Sequence, residues 1–361
     1  MRDIYLALLA FVLSTLTIAA LRPLAVAVDL VDNPGGRKTH KGRIPIVGGI
    51  GMYLGIATCM SLFEPQTSSV SIFLGALGIL VILGLVDDRF EISPWFRLPV
   101  QILAVVLFVL PTNLFVQTLG APFSEKIIAL SGFASYATTV ILMVGGINAF
   151  NMLDGIDGLA GAIAIVAMAF LAYLAFGTGM LELAGAALII IGAIMAFLIF
   201  NVPFRFNRPW LCFMGDSGST LLGFSVAWMS LSVSQHATGA VRPIIVLWIV
   251  ALPIYEVVAS TVRRIVRGVS PFRPDTFHFH HQMLRAGIGV RAIFFVAIGL
   301  SILFGLIGVS LHYLGVSDQQ SFTLFLIMGF LVAWLMCHAE ILTRLIPKSL
   351  RRDFEERTEG A

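Results

Sequence analysis

The 361-residue chain is 58% AVILMFWYC and only 12% charged, with a mean hydropathy of +0.96. Soluble domains carry about twice that charged fraction, so a water-soluble fold is excluded and a polytopic membrane protein remains. The net charge of +3 is small, nothing points to nucleic acid, and Cys59, Cys212 and Cys337 match no disulfide or zinc spacing.

A bilayer is crossed by about 20 apolar residues, as helices or a closed barrel. The apolar runs are long and lack period-2 alternation, which predicts an all-α bundle of about 11 spans. In chain order they cover 4–21, 46–63, 70–86, 98–116, 127–144, 159–176, 181–200, 217–233, 241–261, 292–314 and 322–342. The first has no convincing cleavage site and is read as a retained helix. With that count, 20 of the 23 lysines and arginines fall on one side, leaving Arg2, Lys126 and Arg242 on the other. The positive-inside rule then puts the N-terminus outside and the C-terminus in the cytoplasm. Residues 1–343 read as one membrane domain and 344–361 as a basic cytoplasmic tail.

The longer connections lie on the basic side, and the polar clusters lie there too. Asp87 and Asp88 end the third span; adjacent carboxylates at a bilayer edge are costly, so a divalent cation or a proton-accepting role would explain them, as would pairing with Arg89. Asn148, Asn151, Asp154 and Asp157 are spaced by three, one face if helical. They make an oxygen-rich patch suited to Mg²⁺ or sugar hydroxyls, although Asp157 could instead cap the next helix. Asp216 and Ser217 open the eighth span, where they could cap the helix or its amides could receive a phosphate. The longest loop carries Arg263, Arg264 and Arg267, then His278, His280 and His281, which could donate to a diphosphate. The arginines alone also read as positive-inside charge, and the histidines could hold zinc if further N or S ligands joined them. The segment from Asp32 to Pro45 adds Lys41 and is followed by Gly48, Gly49 and Gly51. With no preceding strand a dinucleotide loop is rejected, and close helix packing explains the glycines better. Glu256, just after Pro253, is the one embedded glutamate that stands out.

Carboxylates for a hard cation beside arginines and histidines for phosphates suit transfer between two anionic reactants at the inner interface. These four clusters resemble the signature regions of the polyprenyl-phosphate N-acetylhexosamine-1-phosphate transferases, and the resemblance covers nearly the whole chain. Ser270-Pro271-Phe272-Arg273-Pro274-Asp275 leading to a histidine run interrupted by Phe279 is similar to the bacterial branch that starts O-antigen and enterobacterial common antigen synthesis. The resemblance implies transfer of GlcNAc-1-phosphate from UDP-GlcNAc to undecaprenyl phosphate, releasing UMP, with Mg²⁺ or Mn²⁺, at the inner membrane.

It also implies roles. Asp216 and Asp154 would bind metal, and Asp87 and Asp88 would act on the lipid phosphate or help hold the metal. Asn148, Asn151, Asp157, Arg264, His278, His280, His281 and, more weakly, Lys41 would bind substrate. A homo-oligomer is compatible with the sequence. Direct attack by the lipid phosphate and an aspartyl-phosphate intermediate both remain open, with the direct route as the working hypothesis. The alternatives are another UDP-HexNAc donor, or a transporter or flippase.

Overall fold

The structure, a computed structural model, describes residues 2–33, 42–63, 68–202, 212–266, 268, 278–285 and 287–337. Lys41, Arg267, the 270–275 lead-in and the 344–361 tail lie outside them.

Thirteen helices dominate these residues: α1 (Arg2–Ala27), α2 (Gly48–Phe63), α3 (Ser68–Phe90), α4 (Pro94–Thr112), α5 (Gly132–Leu153), α6 (Leu159–Gly177), α7 (Leu181–Asn201), α8 (Gly215–Ser234), α9 (Pro243–Ile249), α10 (Ala251–Val266), α11 (Phe279–Arg285), α12 (Val290–Tyr313) and α13 (Asp318–Cys337). The one named sheet is a two-residue antiparallel ribbon, β1 (Val31–Asp32) with β2 (Ile44–Pro45), a detail that an all-α reading misses. Although β2 precedes the glycines of α2, it does not form the βαβ unit of a dinucleotide fold.

Each expected span meets a helix, but the count of 11 is not reproduced by length and composition. Among the described residues, eight helices are long and apolar enough to cross a membrane: α1, α3, α4, α5, α6, α7, α12 and α13. The pair α9–α10, bent by 81°, makes a ninth if taken as one span. Helix α2 is short at 16 residues, and six serines lower the hydropathy of α8. The expected span 241–261 breaks at Val250 for a stated reason: Pro253 has no N–H to give the carbonyl of Ile249, where α9 ends. Residues 127–130 are extended, pairing with 117–120, so α5 starts later than expected and runs on to Leu153.

Helix α8 sits in the centre. Among its buried residues are Ser217, Ser219, Thr220 and Ser225, shielded by α2, α3, α5 and α6. Glycines permit the approach: a Cβ at Gly84 of α3 would overlap the Ser217 backbone, and one at Gly223 would lie 2.6 Å from the Gly146 carbonyl and from Ile147 Cα of α5. The α2 glycines play the same part, Gly49 against Ser217 and Gly218, and Gly51 against Ile18 of α1. Close packing is thus their role, as expected.

Helix termini gather at two ends. At one end are the C-termini of α3, α5 and α7 and the N-termini of α4, α6 and α8, joined by the contacts described below. At the other, Gln235 after α8 accepts from the amides of Gln117 and Thr118. There Asp318 at the start of α13 takes the Ala121 amide and the Arg242 guanidinium, both at 2.9 Å. A cavity of about 310 Å³ near that end is lined by Phe73, Phe108 and Trp228, with Glu182 beside it.

Candidate active site

The carboxylates are placed by helix ends. Helix α3 runs past the expected end at Val86, so Asp87 and Asp88 occupy its last turn. Asp88 Oδ1 accepts the Asp216 amide at 2.7 Å and Oδ2 accepts the Ser217 amide at 3.3 Å. A carboxylate from α3 therefore caps α8, where partial positive charge favours an anion. Those two amides are engaged by Asp88, which corrects the expectation that they receive a phosphate. Gly215 precedes them at φ +69°, and a Cβ there would overlap Asp88 and Ile46.

Asp87 is buried; its Oδ1 accepts the Ile92 amide at 2.7 Å and its Oδ2 the Arg97 guanidinium. The same Arg97 Nη1 reaches Asp216 Oδ2 at 3.3 Å. Arg97 stands in the first turn of α4, because that helix begins early, with Ser93 as its cap and Pro94 at its first position. One guanidinium thus links the last turn of α3 to the first turn of α8.

Helix α5 adds the amides. Asn151 donates to Asp216 Oδ1 and, at 3.0 Å, to Ser219 Oγ. Asn148 faces the same narrow recess, but its amide is held by Gln101 Oε1 at 2.9 Å and the Val144 carbonyl at 2.8 Å. The shared helical face ends there: Asp154 is the C-cap of α5, and Asp157 lies in the following turn. Asp157 does not cap α6; Gly158 occupies that position at φ +75° and donates to Asn201 Oδ1 at 2.5 Å. Burial and then the charges of Asp216, Asp157 and Asp88 push the Asp154 carboxyl well above the usual carboxylate range. Asp154 is thus within electrostatic reach of the other three.

The histidines close the arrangement. His280 is buried, and its imidazole lies against Gly155, where a Cβ would overlap the ring. Burial, helped by His281 and His278, lowers its pKa to about 3, so the ring is neutral at pH 7. His278 stacks on His280 with ring centres 5.9 Å apart, and His281 lies 4.3 Å from His280. His278 Nδ1 meets buried Glu256 Oε1 at 3.0 Å. Arg264 is half-buried two turns beyond Glu256 on α10.

The structure therefore brings Asp87, Asp88, Asn148, Asn151, Asp154, Asp157, Asp216 and the three histidines to one end of the bundle. Sequence reasoning missed Arg97, counted only as a loop charge, and Gln101. Glu256 was noticed, but not its histidine partner.

No group of three or more His, Cys, Asp or Glu among the described residues forms a ready-made metal cage. Mg²⁺ rarely needs one: it takes one or two carboxylates and completes its shell with water and substrate phosphates. Asp154 beside Asp216, with mutual repulsion that a divalent cation would relieve, fits that pattern.

Comparison with known proteins gives the family. The glycosyl transferase family 4 pattern matches residues 70–234, the stretch from α3 through α8. The chain belongs to glycosyl transferase family 4. It is 36% identical to the undecaprenyl-phosphate alpha-N-acetylglucosaminyl 1-phosphate transferase of Salmonella typhi over 344 residues, 95% of this chain and 93% of that protein. The proteins of the same name from Haemophilus influenzae and Yersinia pestis are 35% and 34% identical, covering 93% and 95% of this chain and 95% and 93% of their own.

Proposed function

We infer that the protein transfers GlcNAc-1-phosphate from UDP-GlcNAc to undecaprenyl phosphate, giving undecaprenyl-diphospho-GlcNAc and UMP. The observation that carries this reading is convergence: carboxylates from α3, the α5–α6 turn and α8 meet an imidazole stack at one end of a membrane bundle. The names of the relatives supply the donor sugar and the acceptor.

In this reading an oxygen of the lipid phosphate attacks the donor's β-phosphorus, and the bond to the bridging oxygen breaks as UMP leaves. Asp154 and Asp216 would hold Mg²⁺ or Mn²⁺, which when bound supplies charge neutralisation for the two reacting phosphates. Asn151 orients Asp216 through its amide. Arg97 holds Asp87 and Asp216 in fixed relation. His280, His281 and Arg264 would supply donors to the diphosphate, with His278, Lys41, Asn148 and Asp157 toward the nucleotide sugar. Asp88 is committed to the α8 amides and Asp87 to Arg97 and the Ile92 amide, so both would act on the lipid phosphate through the Asp216 centre they fix. Because a phosphate monoester has a second pKa near 6, the lipid phosphate is already ionised at pH 7 and needs no strong base.

Topology follows the same reading. The N-terminus is outside, the C-terminus and the site face the cytoplasm of a bacterial inner membrane, and residues 1–343 form one domain. Eleven crossings are supported by the two-ended arrangement, since α2 and α8 run between the same ends as their neighbours. A helix sheathed by protein need not be apolar to cross. A transporter would place its charged groups near mid-membrane, whereas these lie at one end.

The test is purified protein with undecaprenyl phosphate and a panel of UDP-sugars, with and without Mg²⁺. UMP release that requires lipid, metal and UDP-GlcNAc is expected. Preference for another UDP-HexNAc would move the donor assignment, and substrate movement without turnover would overturn the enzyme.

A further inference from the structure

Helix α10 begins after the 81° bend and brings Glu256 into the bundle, with its side chain 1% exposed. That carboxylate lies 3.0 Å from His278 Nδ1, itself only 12% exposed. Through His278 the contact reaches the stacked His280, and through His280 the Gly155 backbone beside Asp154. A carboxylate that accepts from the imidazole would put the proton on Nδ1 and leave a lone pair on Nε2, which is turned away from Glu256.

We propose that Glu256 is a positioning residue for the nucleotide-sugar donor: it fixes the ring orientation and the Nδ1-protonated form of His278, so that Nε2 offers a lone pair to a hydroxyl or N–H of the donor while its stacked neighbours His280 and His281 are left to face the diphosphate. This rests on the transferase reading above, but its first consequence is independent of turnover. A ring set by one acceptor presents the same nitrogen to every ligand, whereas an unsupported ring rotates and exchanges tautomers. Glu256→Gln keeps the size of the side chain and can donate to Nδ1 instead, which favours the opposite tautomer. Glu256→Asp keeps the acceptor on a shorter arm.

The experiment uses the full chain in nanodiscs with ¹⁵N-histidine, the His278 signals being assigned by their loss in His278→Asn. Wild type is expected to show protonated Nδ1 at His278, Glu256→Gln to shift toward protonated Nε2, and Glu256→Asp to retain the wild-type pattern. In kinetics, Glu256→Gln should raise KM for UDP-GlcNAc by about tenfold with KM for undecaprenyl phosphate changed less than about twofold, and Glu256→Asp should recover part of the loss. An unchanged tautomer in Glu256→Gln, or an unchanged donor KM, overturns the proposal. So does an equal rise in both KM values, which is the mark of a merely structural role. If wild type releases no UMP at all, the transferase reading fails, while the ¹⁵N pattern still decides whether Glu256 sets His278.

Discussion

Asp154 and His280 touch the same turn yet are pushed in opposite senses. The Asp154 carboxyl is raised, so the native protein keeps that proton to higher pH than the unfolded chain does. Its contribution to stability is complete at low pH and is lost as pH rises through the raised value. A cation bound there must displace the proton. Thermal unfolding should therefore show Mg²⁺ stabilising the protein more at high pH than at low pH, and Asp154→Asn should flatten that trend; equal stabilisation at all pH values would remove Asp154 from the cation site. His280 is lowered to about 3, so its contribution is present above the ordinary 6.5 and is lost as pH falls from there toward 3. His280→Gln should blunt that acid loss in a pH series of melting curves. The Asp216→Asn variant is expected to lose most activity and to weaken metal dependence in a UMP-release assay. Normal turnover would exclude Asp216 as a ligand.

Elements end where side chains dictate, and there sequence reading gained and lost its accuracy. Apolar length was enough to find every helix but α11, and it joined α9 to α10. It could not find the helices' last turns: Asp87 and Asp88 look like a loop start because they are charged, but in the last turn of α3 Asp88 caps α8 and Asp87 pairs with Arg97. The α4 start was legible in hindsight from Ser93-Pro94, and the α9–α10 break from Pro253. The aspartate and histidine clusters were readable because their residues are close in sequence. Arg97 was not, since its partner Asp216 is 119 residues away. Close packing of α8 gives a sharper test. Gly223→Leu should force α5 from α8, at a cost of about 1–3 kcal/mol, and separate Asn151 from Asp216. A lower melting temperature and lost activity are expected; wild-type values for both would mean that the α5–α8 contact does not hold the site.

At the scale of the molecule, the two ends are chemically unlike. One gathers the carboxylates, Arg97 and the imidazoles; at the other, Arg242 is tied to Asp318 and to the carbonyls of Val316 and Leu311. That arginine is neutralised in place, so it does not weigh against the basic face. A cysteine-free variant carrying Glu91→Cys or Lys126→Cys tests the proposed orientation. An impermeant maleimide on intact cells should label position 126 and reach position 91 only after permeabilisation. Labelling of both from outside would put them on one face and undo the topology. Lysine and arginine counts were enough to suggest two faces, but not which residues meet across helices, since that depends on the packing order around α8.

Asp88 and the amide of Asp216 are 128 residues apart in the chain. At about 5–20 residues per second of synthesis, roughly 6–26 s separate their emergence from the ribosome. For that interval the end of α3 waits at the membrane surface with a carboxylate lacking its mate, and α4 to α7 must insert around an unfilled slot. Assembly of this end is therefore a late event in biogenesis, and a nascent chain halted before α8 would hold seven of the thirteen described helices and the Asp87–Arg97 pair, but not the cap that joins α3 to α8.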